Sequence, residues 1–439
     1  MTRGAALLAV LLSWAVLTLW VPERWAWALF QFAVFAGVGV WAVQFIRHPA
    51  PVAGALWILP LGAAAAWGLL QLACGRTVYR WATWEAVLNW STYAALFFLA
   101  LQAFRQFEAQ RWFLRFALFF GFALAVFSTL QMFTSGGRIF WLFPSGYKEL
   151  VLGPFVYRNQ YAAFMEMILP IAIWQALHAR NNSWPYLIMA AAMVASVVAG
   201  ASRAGSLLMC LEGIAVLLLA SYRGVVSTAA VAHAAAKLAL LATLFTAVAG
   251  WQVLWGRLSR PDQGTGRREF FMASQDMLRD HPWLGVGLGN WPKVYPQYAT
   301  FDDGSYVNQA HDDWMQWAVE GGLPFALLMA ALLVMAVPKA ARSLWGVGLI
   351  AVWVHCAVDY PFQQRPGLGA WFFVLLGALA SEPERQLPYI LSWRNNNGYR
   401  KNSWGIARGA GSNCGCGFAP GTISCGPEPK AGAPTRLDG

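Results

Sequence analysis

Long apolar stretches constrain this chain more than any other feature. About twelve segments of predominantly apolar residues follow one another, at 5–21, 26–45, 52–74, 84–104, 112–134, 161–178, 184–201, 205–221, 234–254, 318–337, 344–361 and 366–384. Roughly 20 such residues are what a helix needs to cross a bilayer core. Inside hydrocarbon every backbone N–H and C=O must find its partner within the chain, which leaves helices and closed barrels as the spanning structures. Composition agrees. Hydrophobic residues make up 58% of the 439 and charged residues 12%, where a soluble domain carries roughly a quarter charged. A chain this apolar cannot cover a water-facing surface. The expected fold is all-α: a polytopic membrane protein with about twelve transmembrane helices and one large, partly helical loop outside the cytoplasm. No internal repeat is evident.

The net charge of +11 would suit a nucleic-acid binder in a soluble protein. In a membrane protein the same excess is topological, because Lys and Arg gather on the cytoplasmic side, and no nucleic-acid partner is expected. Arg47, Arg105, Arg111, Arg115, Arg180, Arg223, Lys339 and Arg342 fall on one side if the spans alternate, as do Arg385, Arg394, Arg400, Lys401 and Arg408 of the tail. Both termini are therefore placed in the cytoplasm. The apolar stretch from Ala5 to Val21 is expected to be an uncleaved first helix rather than a signal peptide, because many spans follow it. The organisation expected is nine helices over 1–254, a large outside loop over 255–317, three helices over 318–384, and a cytoplasmic tail over 385–439. The tail is rich in Gly, Asn, Pro and Ser and reads as disordered. Its Cys414, Cys416 and Cys425 lack the fourth ligand of a structural metal site. The large loop has no cysteine, so no disulfide framework is expected there.

That loop is the most informative stretch for chemistry. Its six basic and eight acidic residues exclude a general anion sponge, so an anion site must depend on particular residues. Gly266 to Asp280 reads as a helix that stops at His281-Pro282, because a residue before proline disfavours the α region. Helical spacing aligns Arg267 with Phe271, Ser274 and Leu278, and Arg268 with Met272, Gln275 and Arg279, which puts Arg267 on the apolar face. An Arg held there needs an anion or carbonyls, and its planar fork suits phosphate. A structural ion pair with a loop carboxylate explains the spacing equally well. Arg203, in Ser202-Arg203-Ala204-Gly205, is either an interfacial snorkelling residue or a second anion ligand on the same side as the loop.

Asn308-Gln-Ala-His311-Asp312-Asp313-Trp314 leads into an apolar helix, with Asn308 a candidate cap and His311 in the first turn, at the membrane surface. A neutral imidazole there can take a proton from a hydroxyl; a merely hydrogen-bonding interfacial His is the plainer reading. Asp302-Asp303 and Asp312-Asp313 could hold a divalent cation, although adjacent Asp residues in loops are more commonly solvated turns. Glu166 and Glu212 lie within apolar spans, and His355 and Asp359 share one face of another. Ionisable groups in lipid point to function or to hydrogen bonding between helices. No Walker motif, zinc-ligand spacing or nucleophile elbow is present, and Gly285-Val-Gly287-Leu-Gly289 lacks the preceding strand of a nucleotide loop.

Taken together and in order, several stretches resemble the O-antigen ligase and O-antigen polymerase superfamily of bacterial membrane glycosyltransferases. They are Gly153-Pro-Phe-Val-Tyr-Arg-Asn159, Ser202-Arg-Ala-Gly205, Gly266-Arg267, Asp280-His-Pro-Trp-Leu-Gly-Val-Gly287 with Asn290, Ala310-His311-x-Asp313, Glu320-Gly-Gly-Leu323, and His355-x-x-x-Asp359 with Pro366. The resemblance covers roughly residues 150 to 380. It implies a multi-pass protein of the bacterial inner membrane with a periplasmic loop. The implied activity is transfer of a glycan from undecaprenyl-pyrophosphate to an acceptor hydroxyl, with inversion and with lipid A core as acceptor in the ligase type. Arg203 and Arg267 would bind the donor pyrophosphate and His311 would act as general base, with no metal or other cofactor. Repeat-unit polymerases share these motifs, as does a member type that transfers glycan to proteins. One departure stands out: the family often has Asn directly after the His, and here it is Asp312. From another class, an ion-coupled transporter could use Glu166, Glu212 and Asp359, but the paired broken helices and internal repeats common in transporters are not evident.

Overall fold

A computed structural model describes residues 3–381 apart from 50, 147–150, 180–181, 260–264, 301–303, 305 and 364–365. Asp302-Asp303 and the tail with its three cysteines lie outside the described residues. The order is α1 (Arg3–Leu17), α2 (Trp25–Arg47), α3 (Ala55–Ala73), α4 (Arg80–Ala103) and α5 (Phe107–Thr134), then a two-stranded hairpin of β1 (Arg138–Ile139) and β2 (Phe143–Pro144). Next come α6 (Arg158–His178), α7 (Trp184–Ala199), α8 (Arg203–Tyr222) and α9 (Thr228–Ala249). The large loop holds α10 (Gln252–Leu258), α11 (Thr265–Asp280), α12 (Trp291–Val294) and a 3-10 turn at Tyr295–Gln297. Last are α13 (Asp313–Ser343), α14 (Val347–His355) and α15 (Gly367–Ala380). The fold is all-α, and seven of the described helices are long and apolar enough to cross a membrane.

Helix α6 is the centre. Every residue from Asn159 to Ile173 is buried, because α5, α7, α8 and α14 pack around it. A helix without an exposed stripe has no use for strong amphipathicity. Around α4, α3 and α15 make a second layer. The exposed Leu, Val and Phe side chains of α2, α3, α8 and α9 face away from both layers, as lipid-facing surfaces do.

Three of the basic residues used to orient the chain bond the ends of neighbouring helices. Arg223, which follows α8, donates to the Ala341 carbonyl at 2.8 Å, Lys339 to Ala380 at 3.1 Å, and Arg105 to the Pro51 carbonyl. The first turns of α4, α6, α8 and α13 lie at the other end, beneath the large loop.

Two spans differ from the sequence reading. Helix α9 runs from Thr228 to Ala249 instead of 234–254: Ser227 caps it by accepting from Ala230 N–H at 3.2 Å, and Gly250 ends it at φ +93°. Helix α14 is nine residues long, about 13 Å at 1.5 Å per residue, and cannot cross alone. The chain leaves the helix after His355 because its carbonyls are claimed elsewhere: Asp313 N–H reaches Cys356 O at 2.7 Å and Asp359 O at 3.2 Å. Irregular backbone at such depth survives only where protein or a cavity surrounds it.

A second break, in α13, locks the loop onto the membrane helices. The chain turns out of helical geometry at Gly322, with φ 74° and ψ 175°. Pro324 has no N–H to offer Glu320. The freed carbonyls are taken by Val286 N–H on Val319 O (3.0 Å), by Gly287 N–H on Glu320 O (3.0 Å), and by Trp67 Nε1 on Gly321 O (2.8 Å). Leu323 N–H in turn donates to Pro282 O at 2.8 Å. A Cβ at Gly322 would meet Trp283 O at 2.2 Å, and one at Gly285 would meet Glu320 O at 2.3 Å. The His-Pro-Trp-Leu-Gly-Val-Gly and Glu-Gly-Gly-Leu stretches are therefore the two halves of one clasp. A small apolar core of Ala273, Met277, Val286, Trp291, Tyr295 and Val319 sits above it.

Candidate functional site

The unwound segment after α14 brings Asp359 to the loop end of the bundle. Its carboxylate is 1% exposed and has several donors. Tyr157 Oη donates at 3.0 Å, Tyr360 N–H at 2.9 Å, and the Asn159 amide donates as well. Arg267 Nη2 lies 3.9 Å away and His311 Nδ1 3.6 Å away. Burial penalises the charge, but His311, His355 and Arg267 outweigh it and hold the carboxyl below the usual carboxylate range. The same carboxylate, with burial as the larger cause, keeps the Tyr157 phenol protonated far above its ordinary value.

Helices α6 and α8 start side by side here. Ser202 caps α8 by accepting from Gly205 N–H at 3.2 Å, and its hydroxyl donates to Asn159 Oδ1 at 2.8 Å. That link sets Arg158 and Arg203, the first residues of the two helices, at the same end of the bundle. The Arg158 guanidinium interacts electrostatically with Tyr157, Asp359, Arg203 and Arg267, so Arg158 and Arg267 act on the Asp359 carboxylate and Arg203 adds its charge through its neighbour Arg158. Two helix N-termini add their positive dipole ends. Such a place attracts anions, and the free N–H groups of a helix start are suited to phosphate.

Arg267 reaches the site from α11, although not as its helical spacing suggested. The buried face of α11 is Glu269, Ala273, Ser274 and Met277, while Phe271 is 40% exposed. Arg267 therefore flanks the apolar stripe with its side chain 48% exposed. Its Nη1 donates to Val358 O at 3.1 Å. Both readings of Arg267 meet in this geometry: it neighbours a loop carboxylate, and its outer side is open to a ligand. Arg268, one position on, is exposed.

His311 also differs from expectation. Helix α13 begins at Asp313, and its cap is Asp312, whose Oδ1 accepts from Met315 N–H at 3.0 Å. Asn308 does not cap it. His311 thus precedes the helix and adopts φ +56°, a backbone state uncommon for residues other than glycine. Strain of this kind, of order 1–3 kcal/mol, persists only where the surroundings fix it, and it clusters at functional sites. Here the imidazole stacks on Phe270 (5.7 Å, 17°) and meets the edge of Tyr360 (4.7 Å, 80°), which itself stacks on Tyr157. Ala310 N–H is pinned by Gln316 Oε1 at 3.0 Å. Nδ1 faces Asp359, the placement of a carboxylate that orients a catalytic histidine.

Residues 188–330 match the family model for O-antigen ligase. The match spans Arg203, Arg267 and His311, and ends before Asp359. No curated protein matches the chain. The chain is thus similar to the O-antigen ligase superfamily, and the similarity implies a glycosyltransferase-like activity in a membrane.

Of the residues singled out in the sequence, Arg267 and His311 both flank Asp359, and Arg203 is linked to them through its interaction with Arg158. The sequence reading missed Asp359 as their hub, and Arg158, Tyr157 and Asn159 as its surroundings, although these three stand in the Gly153–Asn159 stretch. The carboxylates of Asp312 and Asp313 do not point to chemistry: one caps α13 and the other accepts from Phe362 N–H at 3.0 Å. Among the described residues no group of His, Cys, Asp and Glu has the arrangement of a metal site.

Proposed function

We propose that this protein moves a glycan from undecaprenyl-pyrophosphate to an acceptor hydroxyl at the periplasmic face of the bacterial inner membrane, as an O-antigen ligase with lipid A core as acceptor. The observation that carries the reading is that Arg267 and His311 flank Asp359 while Arg158 interacts with Asp359, Arg203 and Arg267, at the helix starts where a carrier lipid's pyrophosphate would rest. The donor's tail lies in the bilayer and its pyrophosphate at the surface. Pyrophosphate leaves readily once its charge is balanced, and guanidinium groups supply that balance by charge-assisted hydrogen bonds.

In the transfer step His311 takes the proton of the acceptor hydroxyl, the oxygen attacks the anomeric carbon, and the carbon–oxygen bond to pyrophosphate breaks with its electron pair leaving on the phosphate. The anomeric centre inverts. Asp359 faces Nδ1, orients the ring and stabilises the imidazolium that forms, which leaves Nε2 for the acceptor. Charge balance by arginines requires no metal.

Purified protein, undecaprenyl-pyrophosphate-linked glycan and lipid A core test this reading. Transfer is expected to continue with chelator present. Loss of transfer on chelation, restored by magnesium or manganese, would overturn the metal-free mechanism. In cells, loss of the protein is expected to leave core without long chains. Core carrying a single repeat would instead indicate a repeat-unit polymerase.

A further inference from the structure

A cavity lies near the site, its lining including Gln309 and Phe362, close along the chain to His311 and Asp359. It is bounded by the first turns of α4, by Leu288, Gly289 and Pro292 of the loop, by the start of α13, and by the turn after Asp359. Its volume is about 180 Å³, below the roughly 300–1,000 Å³ of pockets for drug-sized ligands, so it suits one ring and not a chain. Among the described residues none of α6, α8 or α11 lines it.

Its lining is of a mixed kind. Trp90 and Trp317 supply aromatic faces, with ring centroids 6.5 Å apart and planes at 60°, and Phe362 lies 5.7 Å from Trp317. Between them stand amides and carboxylates: Asn89, Gln309, Gln316 and Glu320. Internal hydrogen bonds fix these groups. Asn89 Oδ1 accepts from Trp27 Nε1 at 2.8 Å and Gln31 at 3.2 Å. Gln309 Oε1 accepts from Gln316 Nε2 at 2.7 Å, and that same nitrogen holds Glu320 Oε1 at 3.0 Å. Each oxygen of Asn89 and Gln309 is thus spoken for, while among the described residues neither amide nitrogen has a hydrogen-bond partner. An amide NH2 offers two donors, so the walls hold donors already oriented for a ligand oxygen.

Among the described residues no cation lines the cavity, and of its two carboxylates, Glu85 and Glu320, the first pairs with Arg24 outside the lining. Phosphate and carboxylate ligands are disfavoured there, in contrast to the arginine cluster. Flat aromatic faces with a rim of oriented amide donors and carboxylate acceptors fit a ring with one face of C–H groups and hydroxyls around its edge. We infer that this cavity is the acceptor-sugar subsite: it holds one uncharged, hydroxyl-bearing sugar ring of the acceptor, apart from the helices that carry the arginines. The inference rests on the transferase reading above and adds to it where the acceptor sits and which sugars it excludes.

Asn89→Asp gives a direct test, because Asp keeps an oxygen for Trp27 and Gln31 and puts a carboxylate oxygen where the amide donor stood. The probe is dephosphorylated core oligosaccharide, followed with the full-length purified protein by saturation-transfer NMR and by transfer kinetics. The expected result is weakening of oligosaccharide binding and a rise in acceptor KM of about tenfold, the size of one lost hydrogen bond of ~1 kcal/mol or slightly more, with donor KM and kcat at saturating acceptor unchanged. Gln309→Glu, which likewise keeps its oxygen for Gln316, is expected to weaken binding similarly. His311→Gln is expected to bind the oligosaccharide like wild type while failing to transfer. Unchanged binding in both Asn89→Asp and Gln309→Glu would overturn the subsite. A rise in donor KM with acceptor KM unmoved would also overturn it, by moving the cavity to the donor. Absence of transfer by the wild-type protein with binding still sensitive to Asn89→Asp would sink the transferase reading and leave a sugar-binding cavity.

Discussion

Two histidine–carboxylate pairs lie along the same stretch of this protein and differ in nearly everything else. His311 sits 3.6 Å from Asp359 at the loop end, 23% exposed and in a left-handed backbone state, and its carboxylate partner also faces Arg267. His355 sits 2.8 Å from Glu166 with neither side chain exposed, inside the bundle between α14 and α6. Glu212 is buried near them, and neither of its carboxyl oxygens has a hydrogen-bond partner among the described residues. Ionisable residues at membrane depth suggest function as a default. Access separates the two pairs: a ligand can reach His311, whereas His355 and its partner Glu166 are wholly buried. A close pair with short geometry reads as interhelical structure, and the looser, strained, open pair reads as chemistry, since catalytic contacts often tighten only with substrate bound.

The largest expected effect divides the pairs. General-base help is typically worth a factor of about 100 to 10,000, so His311→Gln should lower turnover by that much while donor binding persists. Gln can still hydrogen-bond but cannot take the proton at neutral pH, and near-normal transfer by this variant would make His311 a positioning residue only. His355→Gln is expected to act on the fold. Removing one partner of a buried pair costs about 3–5 kcal/mol, so thermal stability in detergent should fall, while the protein that remains folded should keep its kcat. A stable His355→Gln protein with the kinetic defect expected of His311 would reverse the comparison.

The arginines come next. Arg203→Ala and Arg267→Ala should impair donor binding, and Arg267→Lys should remain impaired because an ammonium lacks the bidentate fork. Hydrogen bonds to charged groups contribute roughly 1.5–3 kcal/mol, which sets an expected rise in donor KM of about 10- to 100-fold for each. Arg268→Ala should stay within about twofold of wild type. An inactive Arg268→Ala beside an active Arg267→Ala would show that the wrong face of α11 had been assigned to the donor.

What the sequence made legible follows from what is local. Helix-length apolar runs, the stop of α11 before Pro282, and the Arg203, Arg267 and His311 positions could all be read from short patterns. Asp359 could not. Helical spacing put it on one face with His355, as though both served one function. The structure ends α14 at His355, because Asp313 N–H claims the Cys356 carbonyl, a bond between residues 43 positions apart that no local pattern reveals. The result sends His355 inward to Glu166 and Asp359 outward to the arginines. The phase of α11 slipped for a related reason: its buried face is set by the core of Val286, Trp291 and Val319 above the clasp, and those contacts outweigh the spacing of Phe271 and Leu278. The clasp itself was visible as two glycine-bearing motifs, but their mutual fit depends on Gly285 and Gly322 meeting across the chain.

The smallest expected effect concerns the residue beside His311 that departs from the superfamily's usual pattern. If the carboxylate of Asp312 took part in the proton transfer, Asp312→Asn would cost activity comparable to His311→Gln. The geometry gives Asp312 another task. Its Oδ1 caps α13 through Met315 N–H at 3.0 Å, and burial, only partly offset by backbone donors, pushes its carboxyl above the usual carboxylate range. Asn and Asp are nearly equal as caps, whereas Ala at such a position costs ~1 kcal/mol. The carboxylate that faces His311 Nδ1 belongs to Asp359. Asp312→Asn is therefore expected to leave turnover within about twofold of wild type, with Asp312→Ala losing a modest amount of stability and Asp359→Asn losing turnover. Transfer rates and melting temperatures of the three variants, measured side by side, decide which carboxylate orients the histidine. An inactive Asp312→Asn with an active Asp359→Asn would transfer that role to Asp312.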